Sequence, residues 1–307
     1  MSKSVAAARW AALVAVGLVL AGCGGGEVLD EGPFGYDASQ PLAFADAGVV
    51  DPNYPLAVHD VSYAVGDGRI EAFLVVPPGD GPWPAAVYVH GSGSDRLSML
   101  GAATWLAARG AITLAISAPS GSADSAGGTG VDGLVAHRQL EVGDVVAVRR
   151  AIDLLQERDD VAPDRIAYIG WSSGARTGSI LAGVEPRLHS LVLIAPGAAP
   201  VSEFVDAASP EDRDAVRKLM SSIDPLYYVA RANAERLLIQ EGENDAVIPR
   251  TAIDALIDAA PDGTEVRWYD ADHALGPQAY EEHLDWLQER LGIDDAPVAG
   301  AQTGPSP

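Results

Sequence analysis

The sequence predicts one α/β domain built on a mostly parallel sheet with helices on both faces. Three observations predict it. From residue 58 onward, short apolar segments alternate with segments of helical period, the pattern of strands joined by helical crossovers. The chain has 307 residues, 48% of them hydrophobic, which is enough for a single large core. Three stretches carrying Ser172, Asp245 and His273 each follow directly on a predicted strand, and the loops at strand ends are where an open α/β sheet places its reactive groups.

The N-terminus comes first. Lys3 and Arg9 form a basic head, residues 10–20 an apolar stretch, and Leu20-Ala21-Gly22 a small-residue exit, together a secretory signal too short to be a comfortable membrane span. It ends on Cys23, the only cysteine of the chain. Leu20-Ala21-Gly22-Cys23 resembles the lipobox of bacterial lipoproteins, which implies removal of residues 1–22 and lipid attachment to Cys23, with several acyl chains giving stable anchoring. An ordinary signal peptide is the alternative. A lone cysteine allows no intrachain disulfide, so folding must rest on packing. Residues 23–57, acidic and containing Pro and Gly, read as a tether without a core of its own.

Residues 58–65 and 70–76 read as a hairpin closed by Gly66-Asp67-Gly68. Residues 85–89 are a buried strand ending in His90-Gly91-Ser92-Gly93, 97–109 a helix stopped by Gly110, and 111–116 the next strand. Residues 117–133 form a Gly/Ser/Ala loop. Leu140, Val145, Val148, Ile152 and Leu155 recur at helical spacing, giving the crossover to a strand at 165–169. That strand runs into Gly170-Trp171-Ser172-Ser173-Gly174. A G-x-S-x-G sequence between a strand and a helix is a nucleophile elbow, in which the flanking glycines let strand and helix close around an exposed serine. A strand at 191–195 follows, then a cap at about 196–234 with helical character near 210–220. Strand 237–240 leads to Asp245, helix 251–260 and strand 264–269 lead to His273, and helix 280–291 closes the domain at about 293. Residues 294–307 read as a disordered tail.

Lys and Arg number 20 against 43 Asp and Glu, a formal net charge of −23, and removal of the leader takes two more basic residues with it. Such a surface repels nucleic acid and anionic lipid. The scattered histidines form no metal-ligand pattern, and neither a dinucleotide fingerprint nor a P-loop occurs, so no metal and no cofactor is expected.

Serine, acid and histidine occur in the order Ser172, Asp245, His273. Together with His90-Gly91-Ser92-Gly93 they resemble the α/β-hydrolase superfamily over residues 58–291. The run Gly242-Glu243-Asn244-Asp245-Ala246-Val247-Ile248-Pro249 and the Asp164-Arg165-Ile166 approach to the elbow are most similar to the dienelactone-hydrolase and prolyl-oligopeptidase-like branches. The resemblance implies an α/β-hydrolase fold with a small cap after the sixth strand. It implies Ser172 as nucleophile, His273 as base, and Asp245 as the residue that orients the base. The amides of Ser173 and Ser92, with Gly91 as runner-up, are its implied oxyanion donors. Two departures bear on substrate: serine stands where dienelactone hydrolases have cysteine, and a propeller like that of prolyl oligopeptidases is not found. Ala175 replaces the second glycine of many relatives. Asp270 and Asp272 adjoin His273 and are rival acids, whereas His90 reads as a shaper of the oxyanion loop. His59, His137, His189 and His283 carry no partner pattern.

The expected protein is an exported serine hydrolase of the cell envelope, on its periplasmic or extracellular face, acting on small-molecule esters and touching membrane only through its anchor. A peptidase or amidase with the same site is the enzyme alternative. A catalytically silent binding protein is the other. The polar cap and its few large apolar residues, Phe204, Leu219, Met220, Ile223, Leu226, Tyr227 and Tyr228, lack the broad apolar face of a lipase lid and favour short acyl groups.

Overall fold

The computed structural model describes residues 32–50, 54–121 and 130–293. The expected signal peptide, Cys23, the tail and the middle of the 117–133 loop lie outside the described residues. The strands are β1 (Ala45–Val49), β2 (Val58–Val65), β3 (Gly68–Val75), β4 (Trp83–Val89), β5 (Ile112–Ile116), β6 (Val161–Trp171), β7 (Leu188–Ile194), β8 (Leu237–Gly242) and β9 (Glu265–Tyr269). They form one sheet in the order β1-β2-β3-β5-β4-β6-β7-β8-β9. β1, β2, β3 and β5 pair antiparallel, and every pair from β5 across to β9 is parallel.

Parallel strands need crossovers, and the crossovers cover both faces. On one face lie α2 (Val131–Gln156), α3 (Ser173–Val184) and α7 (Arg250–Ala259); on the other lie α1 (Leu100–Ala108) and α8 (Pro277–Leu291). The alternation within β4 shows why this sequence suits the centre of such a sheet. Ala85, Val87 and Val89 pack under α2, while Ala86 and Tyr88 pack under α1. A strand buried on both faces is apolar throughout rather than alternating.

β6 begins at Val161, earlier than the expected 165, and takes Pro163 into the strand. Its pairing with β4 shifts register between Trp83 and Ala85, and such irregularities tolerate a missing N–H. The cap comprises α4 (Val201–Ala207), α5 (Arg213–Ser221) and α6 (Pro225–Val229). It follows the seventh strand, not the sixth, because β1 precedes the hairpin.

That extra strand corrects the expected tether over 23–57. Within its described part, residues 32–50 form a strap on the domain. Phe34 is fully buried and sets its edge against Tyr228 of α6 at 5.4 Å between ring centroids. Arg149 of α2 donates to the Phe34 carbonyl at 2.8 Å, and Arg150 to the Gln40 carbonyl at 2.6 Å. Tyr36 Oη donates to Asp153 at 2.9 Å. The strap ends in β1, paired antiparallel to β2. Among the described residues no helix is long and apolar enough to cross a membrane.

Candidate active site

The elbow is built by close approach. A Cβ on Gly170 would stand 2.4 Å from the Gly174 carbonyl oxygen, and one on Gly174 2.4 Å from that of Val89, so only glycine fits either place. Tyr168 Oη donates to the Gly174 carbonyl at 2.6 Å and locks the turn from beneath. Ser172, at the tip, has φ 55 and ψ −113, a backbone conformation that costs a serine on the order of 1–3 kcal/mol. The surrounding bonds hold it there: Ser172 N–H donates to Ile194 O at 2.8 Å, and Arg176 N–H to Ser172 O at 3.0 Å.

Asp245 follows β8 and His273 follows β9. One Asp245 oxygen, Oδ1, accepts from the amides of Val247 and Ile248 at 2.7 and 3.0 Å. The other, Oδ2, lies 2.7 Å from His273 Nδ1, and His273 Nε2 lies 3.0 Å from Ser172 Oγ. The Asp245 side chain is only 1% exposed. Burial pushes its carboxyl up, but the bonds from His273, Ile248 and Val247 outweigh that and hold it below the ordinary carboxylate value. An ionised Asp245 fixes the proton of the neutral imidazole on Nδ1. The Nε2 lone pair is left facing the serine hydroxyl.

The rival acids are engaged elsewhere. Asp270 accepts from the Asn244 side chain at 2.8 Å, and Asp272 from the Ala274 amide at 3.0 Å. His90 is buried, with Nδ1 2.8 Å from Gly91 O and Nε2 accepting from Ala118 N–H at 3.0 Å. Those two partners require Nδ1 to carry the proton, and burial pushes the ring's pKa down. With the Gly91 carbonyl turned to His90, the Ser92 N–H of the same peptide points the opposite way. Gly91 itself lies against Ser172: a Cβ there would be 3.1 Å from Ser172 Cβ. Ser173 opens α3 directly after Ser172, and its Oγ is buried with no hydrogen-bond partner.

The other histidines are dispersed. His59 pairs with Asp46 at 2.8 Å, His189 Nδ1 is 2.9 Å from Ser190 Oγ, and His137 lies on α2. His283 is fully buried on α8 with Nδ1 2.9 Å from Gln240 Oε1. Sequence reasoning missed the work of Trp171, whose indole N–H donates to the His273 carbonyl at 3.1 Å. It also missed Glu241, buried at the end of β8 with neither carboxyl oxygen bonded. Burial first, and then the charge of Asp245, pushes its pKa up to about 9. Glu241 could have been noticed as a charged residue closing a strand that opens with three aliphatic residues, Leu237, Leu238 and Ile239.

No protein-family model and no curated protein sequence matches the chain. Solved structures do. An acetyl xylan esterase from Paenibacillus sp. R4 is 23% identical with TM-score 0.67, the match covering 81% of this chain and 89% of that one. Acetyl xylan esterase 1 from Thermoanaerobacterium sp. JW/SL YS485 is 17% identical with TM-score 0.65, covering 81% and 88%. A prolyl endopeptidase is 19% identical with TM-score 0.58, covering 78% of this chain but 39% of that chain. The sheet order, the helices on both faces and these likenesses together show the α/β-hydrolase fold.

Proposed function

We propose that this chain is a serine hydrolase that cleaves carboxylic esters, with short acyl groups preferred, from a lipid anchor on the outer side of a cell membrane. The observation that carries the reading is the relay from Asp245 through His273 to Ser172, spaced 2.7 and 3.0 Å. Ser172 Oγ attacks the ester carbonyl carbon while His273 Nε2 takes its proton, and Asp245 stabilises the resulting imidazolium. The carbonyl π pair moves onto oxygen, where the Ser173 amide and the Ser92 amide, with Gly91 as runner-up, are the proposed donors. On collapse the C–O bond to the alcohol breaks and the alcohol leaves with the proton from Nε2. Water then repeats the sequence on the acyl-serine, releasing the acid and returning the proton to Oγ.

The short-acyl preference follows from the cap. Met220, Ile223 and Tyr228 are buried against the domain, and among its large apolar residues only Tyr227 is strongly exposed. A cap that spends its apolar residues on its own seating has none to offer an oil surface. The esterase neighbours support an ester substrate, and trimming of acylated glycans or small xenobiotic esters is the corresponding role. The anchor rests on Leu20-Ala21-Gly22-Cys23. A fluorophosphonate probe should label wild type at Ser172. A p-nitrophenyl ester series from acetate to palmitate, run beside aminoacyl amides, should peak at the short esters. Activity greatest on the amides makes the protein a peptidase; a long-chain maximum with interfacial activation makes it a lipase. Absence of labelling makes it a binding protein. In the native host, Cys23→Ser should abolish detergent-phase partitioning, and equal mature mass in both proteins overturns the anchor.

A further inference from the structure

The three groups of the relay arrive on three different strand ends, and one side chain links the segments of two of them, Ser172 and His273, to the loop after β4. Trp171 is joined directly to Ser172. Its Nε1–H donates to the backbone carbonyl of His273 at 3.1 Å, and its ring lies 5.5 Å from the imidazole, centroid to centroid, at 43°. The opposite neighbour is the oxyanion loop, since a Cβ on Gly91 would come within 2.9 Å of the indole Cε3. The segment carrying His273 needs such a brace. It runs through Leu275 at φ 57 and Gly276 at φ 138, and its own bonds, Leu275 N–H to Asp272 O and Ala274 N–H to Asp272 Oδ1, tie the peptide after His273 only to its own loop. The indole bond is the one that holds the His273 peptide itself towards the elbow.

We infer that Trp171 is the positioning residue of this site, holding the His273 backbone through its indole N–H so that Nε2 stays within hydrogen-bond reach of Ser172 Oγ. The inference rests on the serine-hydrolase reading. It goes beyond that reading by giving a spacing residue of the elbow a task. A loosened histidine loop weakens proton transfer in the transition state without altering where substrate sits, so the loss belongs in kcat and not in KM.

Two replacements test it. Trp171→Phe keeps an apolar ring and removes the donor. Replacement of Trp171 by 3-benzothienylalanine keeps the bicyclic shape and removes only the N–H. In both, kcat on p-nitrophenyl acetate should fall about 3- to 10-fold, the range of one neutral hydrogen bond, with KM within twofold. The downfield proton shared by His273 Nδ1 and Asp245, read by NMR with ¹⁵N-histidine, should exchange with solvent at least threefold faster. This proton reports the brace even if wild type hydrolyses nothing, so a failure of the hydrolase reading is told apart from a failure of the inference. Unchanged kcat and unchanged proton lifetime in the benzothienylalanine protein overturn the assignment. So does a loss confined to Trp171→Phe, which assigns the ring a packing role alone.

Discussion

The elbow at residues 168–175 and the strap at residues 32–49 are both held tightly to the sheet, yet the bonds that hold them differ in reach. In the elbow the turn closes on itself, Tyr168 bonding Gly174 and Arg176 bonding Ser172, and remote bonds such as Ser172 N–H to Ile194 O fix the closed turn to the neighbouring strand. In the strap the partners are remote. Arg149 and Arg150 bond the carbonyls of Phe34 and Gln40, and Arg187 bridges Asp153 and Glu185 at 2.6 Å each. Arginine presents five donors, more than the carboxylates around it absorb, and the strap carbonyls take up part of the remainder. The elbow is a local turn that presents the proposed nucleophile. The strap is the missing acceptor set of a buried cationic cluster, made for stability.

If that contrast holds, variants in the two regions should fail in different observables. Ser172→Ala should abolish fluorophosphonate labelling and lower ester turnover on the order of 10⁵-fold or more, with thermal unfolding nearly unmoved; appreciable residual labelling breaks the elbow's half of the comparison. Asp245→Asn should cost about 10⁴-fold, because the amide favours the wrong imidazole tautomer. Asp272→Asn should stay near wild type, and the reverse ranking would move the acid. The strap should answer in stability. Phe34→Ala removes a fully buried ring and should cost about 3–5 kcal/mol, read in urea unfolding. The molecules still folded should label at the wild-type rate. A chain beginning at residue 58 should lose more, since it leaves Arg149 and Arg150 without those carbonyls.

The smallest effect sharpens the contrast inside the site itself. Glu241 has no bonded oxygen and a pKa raised to about 9 by burial and by Asp245. Its folded value lies above its unfolded one, so the native state keeps a proton that the unfolded chain releases. Stability from this group is therefore full below the ordinary glutamate value near 4.5 and is lost as pH rises towards 9. Glu241→Gln should stabilise the protein at pH 8 by about 1–3 kcal/mol, with the gain vanishing near pH 4. A change independent of pH would show that Glu241 titrates alike in the folded and unfolded chains and would overturn the buried, protonated assignment.

How much was legible in the sequence follows the same division. The central parallel strands announce themselves as apolar runs and β9 by alternation, and Ser172, Asp245 and His273 stand after three of the parallel strands. β1 does not announce itself. Its five residues, Ala-Asp-Ala-Gly-Val, are exposed but for a half-buried Gly48, so no hydrophobic period marks it, and its pairing depends on β2. The buried anchors of the strap are two residues, Phe34 and Leu42, in a Gly/Pro/Asp context that resembles linker composition. α4 and α6 are seven and five residues long, too short to show a period. Trp171 was visible only as the variable place in G-x-S-x-G, because its partner lies 102 residues away.

The strap also changes what a lipid on Cys23 would mean for the domain's reach. A free chain from Cys23 to Val58 could extend about 120 Å at full stretch, letting the domain drift well clear of the bilayer. With the docked chain beginning at Gly32, eight residues separate it from Cys23, and their full extension is about 30 Å. That is about the width of a small domain. If the proposed anchor is attached, a domain on so short a leash reaches only a shallow layer at the membrane surface, and the substrates of the proposed hydrolase would have to come to it.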